Sequence, residues 1–234
     1  MPKGFFIAGT DTGVGKTIVA GAMIKGLSFV GHHVGAMKPV ESGCSREGEV
    51  LIPSDGIFLK QTAHMDEPIS VVTPCYFESP LAPLSASEID TKEVDLAEIR
   101  RVFKTFSAKY SAMIVEGLGG LMVPIKKDYY LVNMASEFGL PLILVARPGL
   151  GTINHIMLSV DCAFKEGLEV AGVIINYSTP PDGGLAEKTN PGLLARICPV
   201  PVIGIFPYLS SLDEDSIARA ALKSLDLETL KKYL

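Results

Sequence analysis

Residues 5–17 read FFIAGTDTGVGKT, and this stretch decides the fold. The apolar run 5–8 has the length of a strand, and an apolar-periodic helix is expected from Lys16. Between them, residues 9–17 form a glycine-bearing loop. Strand, Gly-rich loop and helix in that order are what a phosphate-cradling P-loop requires. Gly13 and Gly15 let the backbone turn its N–H groups onto phosphate oxygens, and the helix start aims its positive dipole end at the same anion. Lys16 is placed to reach the terminal phosphates, and the Thr17 hydroxyl to ligate Mg²⁺. The strict spacing would put glycine where Thr10 stands; Gly9 makes the loop one residue longer. A Gly-rich turn that happens to precede Lys-Thr is the other reading. Alone, the motif implies ATP or GTP binding and no particular reaction.

Working outward, apolar runs of strand length recur at 34–37, 112–115, 142–146, 170–175 and 202–205. Most are continuous rather than alternating, as suits parallel strands covered on both faces. Helical spacing marks 16–29, 96–110, 131–138 and 153–166, with shorter helical segments at 56–64 and 193–197. This order predicts an α/β fold: a three-layer, doubly wound, mostly parallel sheet of the P-loop NTPase kind. The stretches 41–53, 71–87 and 178–190 read as loops, and Pro74, Pro80 and Pro83 bar a long helix from the second. The segment 218–234 is amphipathic through Leu222, Leu225, Leu227 and Leu230, and is expected to pack on the domain or on a partner subunit. No repeat or linker interrupts the pattern, so 1–234 is expected to be one domain.

The 234 residues carry a net charge of −5, which argues against a general nucleic-acid surface. An anionic ligand would need a local cationic pocket. Cys44, Cys75, Cys162 and Cys198 stand far apart with no CxxC pair, so neither a disulfide framework nor a thiolate metal site is expected. The short apolar run near the N-terminus leads into a polar loop, unlike a signal peptide. No run approaches the ~20 apolar residues that span a bilayer. The cytoplasm is the expected compartment, and neither nucleic acid nor membrane is an expected partner.

Further motifs follow in order: MKPVESG at 37–43, Asp55, VEGLGG at 115–120, GTINH at 151–155 and IINYSTPP at 174–181. With the long loop at 9–17, this set resembles the dethiobiotin synthetase family from residue 5 to about residue 214. The resemblance implies a homodimeric P-loop enzyme that uses ATP and Mg²⁺. In that family 7,8-diaminononanoate and CO2 form a carbamate, and ATP phosphorylates it to a carbamic–phosphoric anhydride. The second amine then closes the ureido ring of dethiobiotin, and ADP and phosphate leave. By the same resemblance Lys38 and Lys16 are catalytic, and Thr17, Asp55 and Glu116 supply oxygens to Mg²⁺. Nucleotide contacts fall on Gly13, Val14, Gly15, Lys16, Thr17, Asp55, Glu116, Gly117, Leu118 and Gly119. The base side falls on Asn176, Tyr177, Pro207, Tyr208 and Leu209, with Glu214 nearby. Thr12 and Ser42 would touch the diamine. Gly151, Thr152, Ile153 and Asn154 of a second subunit would bind its far carboxylate, so the substrate site would span the dimer interface.

These residue types suit the chemistry. Negative charge develops on phosphoryl and carbamate oxygens, and fixed cations and N–H donors stabilise it best. Lys38 ends the second predicted strand, and in a parallel sheet that end faces the P-loop crevice. Position alone would equally fit a solvated strand-end lysine. Glu116 closes an apolar strand, either at the crevice or as the buried partner of a lysine. Asp55 follows Pro53-Ser54 and, read alone, is a cap-region acid at a helix start. The Asn176 amide can pair with a purine edge. Thr152 reads as an N-cap, either of an ordinary helix or of one whose free N–H groups hold an anion. His155 is expected to be packed or at the surface rather than catalytic.

Three positions depart from the family pattern: Leu118 where alanine is usual, Tyr177 where aspartate follows the asparagine, and Leu84 where a histidine follows the second proline. Leu118 is expected to point away from phosphate or to change local packing. Tyr177 weakens the case for adenine over other bases, and Leu84 makes that side of the pocket drier. Two other readings compete. Amidoligases of the cobyrinate-diamide type share a related P-loop domain but need a glutaminase domain, for which 234 residues leave no room. ParA- or MinD-like nucleotide switches carry an early second lysine, absent from Gly9-Thr10-Asp11.

Overall fold

Strand β1 (Gly4–Gly9) is buried along its whole length, so both of its faces must be covered and its sequence is apolar on both. The computed structural model describes residues 2–234. After β1 run α1 (Lys16–Phe29), β2 (Val34–Met37), β3 (Val40–Glu41), the hairpin of β4 (Ser45–Glu47) and β5 (Val50–Ile52), and α2 (Ser54–Thr62). Next come α3 (Ile69–Val72), β6 (Cys75–Tyr76), α4 (Pro83–Ile89) and α5 (Leu96–Lys109). Then follow β7 (Ala112–Gly120), the hairpin of β8 (Pro124–Lys126) and β9 (Tyr129–Tyr130), and α6 (Leu131–Phe138). The chain ends with β10 (Leu142–Ala146), α7 (Thr152–Lys165), β11 (Val170–Asn176), α8 (Leu185–Ile197), β12 (Val202–Phe206), α9 (Glu214–Ser224) and α10 (Leu227–Lys231).

Six strands form one sheet in the order β12-β11-β10-β1-β7-β2, and every pairing in it is parallel. Helices flank it, giving the expected three-layer α/β architecture. Because β1 lies between β10 and β7, the chain leaves β1 at the point where the strand order reverses. Crevices for ligands open at the carboxyl ends of strands at such a point. The ends of β1, β2 and β11 carry the P-loop, Lys38 and Asn176, and β7 carries Glu116 four residues before its end.

Helix α1 packs between the sheet and α2 and α9, which explains its apolar sequence all round. Helix α5 has the opposite pattern: Ile99, Val102, Phe103 and Phe106 are buried along one stripe, and Asp95 caps its start by accepting from the Glu98 N–H at 2.9 Å.

The structure corrects the sequence reading in four places. The stretch 71–87 is not all loop: it holds the end of α3, strand β6 and the start of α4 at Pro83. The stretch 178–190 is not all loop, and 193–197 is not an isolated turn: α8 starts at Leu185 and runs through Pro191. Proline removes the N–H that would bond the carbonyl four residues earlier, that of Glu187. The Tyr177 hydroxyl donates to this Glu187 carbonyl at 3.3 Å, so the helix continues past its breaker. The stretch 41–53 contains the β4–β5 hairpin and the end of β3, which pairs with β6. The amphipathic segment at 218–234 is two helices, and the first begins earlier, at Glu214. Between them the Asp226 N–H donates to the Ile203 carbonyl at 2.8 Å, fastening the segment to β12, and Leu225 and Leu230 are buried.

Candidate active site

A cavity of about 580 Å³ opens where β1, β2 and β7 end, walled by the P-loop, Lys38, Ser42, Asp55 and Glu116. Gly15 is the N-cap of α1 in a left-handed conformation and offers no side-chain cap, so the first N–H groups of the helix face the loop. Lys16 folds back over the loop and donates to the Asp11 carbonyl at 3.1 Å. Burial, and next the neighbouring Lys38, lowers the Lys16 pKa to about 8.

Lys38 is 2% exposed, which excludes the solvated strand-end reading. Its Nζ lies 2.6 Å from Glu116 Oε1 and 2.9 Å from Asp55 Oδ2, and it donates to the Gly117 carbonyl at 3.2 Å. Burial works against this ammonium, but the two carboxylates outweigh it and hold its pKa above that of an ordinary lysine. Burial also opposes the Asp55 charge, yet Lys38 and the Thr17 hydroxyl keep that carboxyl below the usual aspartate range. Glu116 is therefore both at the crevice and the buried partner of a lysine. Asp55 is indeed in the first turn of α2, but its carboxylate faces Lys38 rather than capping the helix.

Two carboxylates and one hydroxyl meet here. Thr17 Oγ1 donates to Glu116 Oε1 at 2.9 Å, while Glu116 Oε2 is buried without a hydrogen-bond partner among the described residues. A buried, unpartnered carboxylate oxygen is costly unless something charged completes it. Among the described residues no cluster of three or more His, Cys, Asp or Glu side chains stands ready to hold a metal. An all-oxygen partial set with one free lone-pair site suits Mg²⁺, which keeps waters and substrate phosphates as its remaining ligands.

Thr12, Ser42 and Leu118 line the same cavity. Leu118, expected to point away from phosphate or to change local packing, packs partly on the core and forms part of the cavity wall. Gly119 lines the cavity, whereas Gly117 is buried and lies where a Cβ would meet Leu131. The wall opposite the P-loop is Pro80, Leu81 and Ala82; Leu84 lies beyond it on α4.

A second cavity of about 300 Å³ lies on the far side of Gly15, walled by Asn176, Tyr177, Pro207, Tyr208 and Leu209. The buried Asn176 amide donates to the Val14 carbonyl at 2.8 Å, which leaves its oxygen and one N–H for a ligand. Glu214 does not join this group. It stands in the first turn of α9 and pairs with Lys25 at 2.9 Å.

Residues 151–154 lie outside both cavities. The N-cap of α7 is Gly151, not Thr152; Thr152 is the first helical residue, fully buried, and its hydroxyl has no partner among the described residues. Asn190 on α8 holds the preceding loop by donating to the Pro148 and Gly149 carbonyls at 2.9 and 3.0 Å.

Two contributors escaped the sequence reading. Arg147 follows β10 and lies 3.6 Å from Asp11 at the P-loop. Glu41 lines the main cavity with its carboxylate buried. No periodicity marks either residue; the only signal for Glu41 is an acid three residues after Lys38 in a segment that leads out of a strand end.

Comparison with known proteins bears on this arrangement. A family model described as an AAA domain matches residues 3–216. The ATP-dependent dethiobiotin synthetase BioD of Thermodesulfovibrio yellowstonii is 45% identical over 237 residues, covering 98% of this chain and 99% of that one. The protein of the same description from Bacillus subtilis is 38% identical, covering 97% of each. Among solved structures, a ParA family ATPase from Chlorobium tepidum superposes with a TM-score of 0.52 at 16% identity, covering 100% of this chain and 97% of that one. The Aquifex aeolicus MinC:MinD cell division complex gives 0.54 at 14%, covering 98% and 95%. At such identities these two share the fold alone.

Proposed function

The chain belongs to the dethiobiotin synthetase family, a family of ATP-dependent ligases, and from that membership we propose that it closes the cyclic urea of dethiobiotin from 7,8-diaminononanoate and CO2. The observation that carries the reading is the buried Lys38 ammonium, held between Glu116 and Asp55 and sharing one cavity with Lys16 and the P-loop. A nucleotide switch needs only the phosphate loop; an acyl-phosphate ligase needs a second fixed cation where its acceptor sits.

In this reading one amine adds to CO2 and loses a proton, giving a carbamate whose oxygens lie against Lys38. The carbamate attacks the γ-phosphorus of ATP, ADP departs, and a carbamic–phosphoric anhydride forms. The second amine attacks the anhydride carbon, the ring closes, phosphate leaves with the C–O bond electrons, and the proton lost by the amine passes to the departing phosphate or to water. Lys16 and the loop N–H groups neutralise the phosphoryl oxygens, and Lys38 neutralises the carbamate. Thr12 and Ser42 orient the diamine. Thr17, Asp55 and Glu116 would hold Mg²⁺, which when bound neutralises phosphate charge and fixes the phosphates. The base lies against Asn176, Tyr177 and Pro207–Leu209. Equal or faster turnover with CTP or GTP than with ATP would remove ATP from the reading.

The reading extends to the whole of 1–234 as one cytoplasmic domain acting as a homodimer. No helix among the described residues is long and apolar enough to cross a membrane. The α7 start supports a second copy: it lies apart from the cavity, and Leu150 beside it is 88% exposed. A second subunit would bring residues 151–154 to the diamine carboxylate. Dilution that separates the subunits should then weaken diamine binding; unchanged affinity in the monomer would exclude the shared site.

The test is ADP release with ATP, Mg²⁺ and bicarbonate, with and without 7,8-diaminononanoate, and mass detection of the product. Diamine-dependent ADP release with a dethiobiotin mass is expected. Release indifferent to the diamine, with no new product, returns the chain to the switch class.

Lys16 adds a pH signature. With its pKa at about 8, a large share of free enzyme at pH 8 carries a neutral Lys16. Phosphates restore the charge, so ATP binding should take up roughly half a proton at that pH, and affinity should fall as pH rises further. Calorimetry in buffers of different ionisation heat reads the uptake; none at pH 8 would contradict it. The stability sign is the reverse of a paired lysine. Between about 8 and 10.5 the unfolded chain binds more protons than the folded one, so this group's contribution improves as pH rises through that window.

A further inference from the structure

We propose that Glu41 is a positioning residue for the ligase reaction: its buried carboxylate clamps the first turn of α2 and so fixes Asp55 against Lys38. The inference rests on the reading above. Glu41 is 5% exposed, and its two oxygens are shared between two backbone donors. The Asp55 N–H donates to Oε1 at 3.0 Å and the Gly56 N–H to Oε2 at 3.0 Å. These are the second and third residues of α2, whose N-cap is Pro53 and has no side-chain hydrogen bond. They are the donors that a capping side chain takes, and an anion there also meets the positive end of the helix dipole. Burial pushes the Glu41 pKa up, and the two N–H bonds oppose that rise.

Packing alone does not explain a carboxylate here, since burying one is costly unless donors satisfy it. Its value lies in what it fastens. Glu41 sits three residues beyond Lys38 on the same segment, and the Lys38 N–H is itself anchored on the Val72 carbonyl at 3.0 Å. Both members of the Lys38–Asp55 pair are therefore tied to residues 38–41. Leu59 and Thr62 bury the later turns of α2, so losing the clamp frees only the turn that carries Asp55. A freed Asp55 leaves Lys38 to Glu116 alone, away from the position facing both the P-loop and Asp55.

The probe is Glu41→Gln, which keeps the volume but turns an NH2 group toward one of the two N–H donors. In the nucleotide-free full chain, amide exchange at Asp55 and Gly56 should quicken by about tenfold or more while the sheet is unchanged. The kcat of diamine-dependent ADP release should fall by roughly 10- to 100-fold, with the KM for ATP within about twofold. Because Glu41 acts through Asp55, Glu41→Gln combined with Asp55→Asn should be no worse than Asp55→Asn alone. A Glu41→Gln kcat within about twofold of the parent, or losses that multiply in the double variant, overturns the proposal. Should Glu41→Gln fail to fold, it is remade in Pro53→Asp, where a new N-cap carboxylate can take the same N–H groups; there kcat should stay within about twofold of Pro53→Asp alone, and a loss of about tenfold or more overturns the proposal. A parent protein without diamine-dependent turnover would instead overturn the ligase reading, and the exchange rates would then judge the clamp by themselves.

Discussion

Lys38→Met should lower kcat by about 100- to 1,000-fold while leaving ATP binding largely intact, because the P-loop, Lys16 and the base cavity are untouched. The same substitution should destabilise the metal-free protein by about 3 kcal/mol, since it strips a buried carboxylate of the cation that touches it. Glu116 is fully buried and 2.6 Å from the lost ammonium, and Asp55, partly exposed, can recover water instead. With the ammonium gone, burial raises the Glu116 pKa unopposed by its nearest cation. An acid whose folded pKa is raised contributes stability below its unfolded pKa and loses it as pH rises through the folded value. Burial already raises the Glu116 pKa in the parent, where Lys38 opposes the rise, so the variant should regain more stability toward acid than the parent does. Chemical denaturation at several pH values reads the sign. A variant with parental stability at neutral pH, or with kcat within tenfold, would show that Lys38 is neither the partner of Glu116 nor the carbamate cation.

The phosphate loop, Lys38 and Glu116 are legible in the sequence because each follows a continuous apolar run. In a parallel sheet those ends gather in one crevice. The limits of α1 and α6 were equally readable from their periodicity and the glycines beyond them. What escaped the sequence was made by contacts distant along the chain. Pro191 sits inside α8 because the Tyr177 hydroxyl supplies the donor that its ring lacks. Asp55 reads as a cap-region acid until Glu41, from another strand, takes the first-turn N–H groups. The two- and three-residue strands at 40–52, 75–76 and 124–130 exist only where a neighbour pairs with them, and so short a run carries no period. Glu214 was assigned to the base side by resemblance, but the start of α9 turns it to Lys25. Residues 151–154 lie apart from the cavity, and a role for them requires a second copy of the chain.

Gly15→Ala should damage both the fold and the phosphate loop. The residue holds φ at 85°, where a side chain costs about 1–2 kcal/mol. A Cβ would also stand 2.1 Å from Asn176 Nδ2 and 3.3 Å from its Cγ, and the buried amide cannot retreat without losing its bond to the Val14 carbonyl. An orphaned buried donor or acceptor costs a further 1–3 kcal/mol or so. The nucleotide-free variant should therefore be less stable by about 2–4 kcal/mol, and its ATP affinity should fall by at least about tenfold. Gly13→Ala separates the two causes. Gly13 has φ at 73° with nothing within 4 Å of a Cβ, so it should show the conformational cost alone, about 1 kcal/mol. Thermal unfolding of both variants without nucleotide makes the comparison. Equal losses would mean that Asn176 moves freely and is not a fixed part of the base cavity.

The bond from Asn176 to Val14 spans 162 residues, that from Thr17 to Glu116 spans 99, and that from Lys38 to Glu116 spans 78. Contacts so far apart along the chain close late in folding. A growing polypeptide thus carries the complete phosphate-loop sequence well before it owns the strands that shape it. Nucleotide can reward only the finished sheet, so its stabilisation should appear as slower unfolding rather than faster folding. An N-terminal half of the chain, released early, would hold the signature of a nucleotide site without the means to keep a nucleotide.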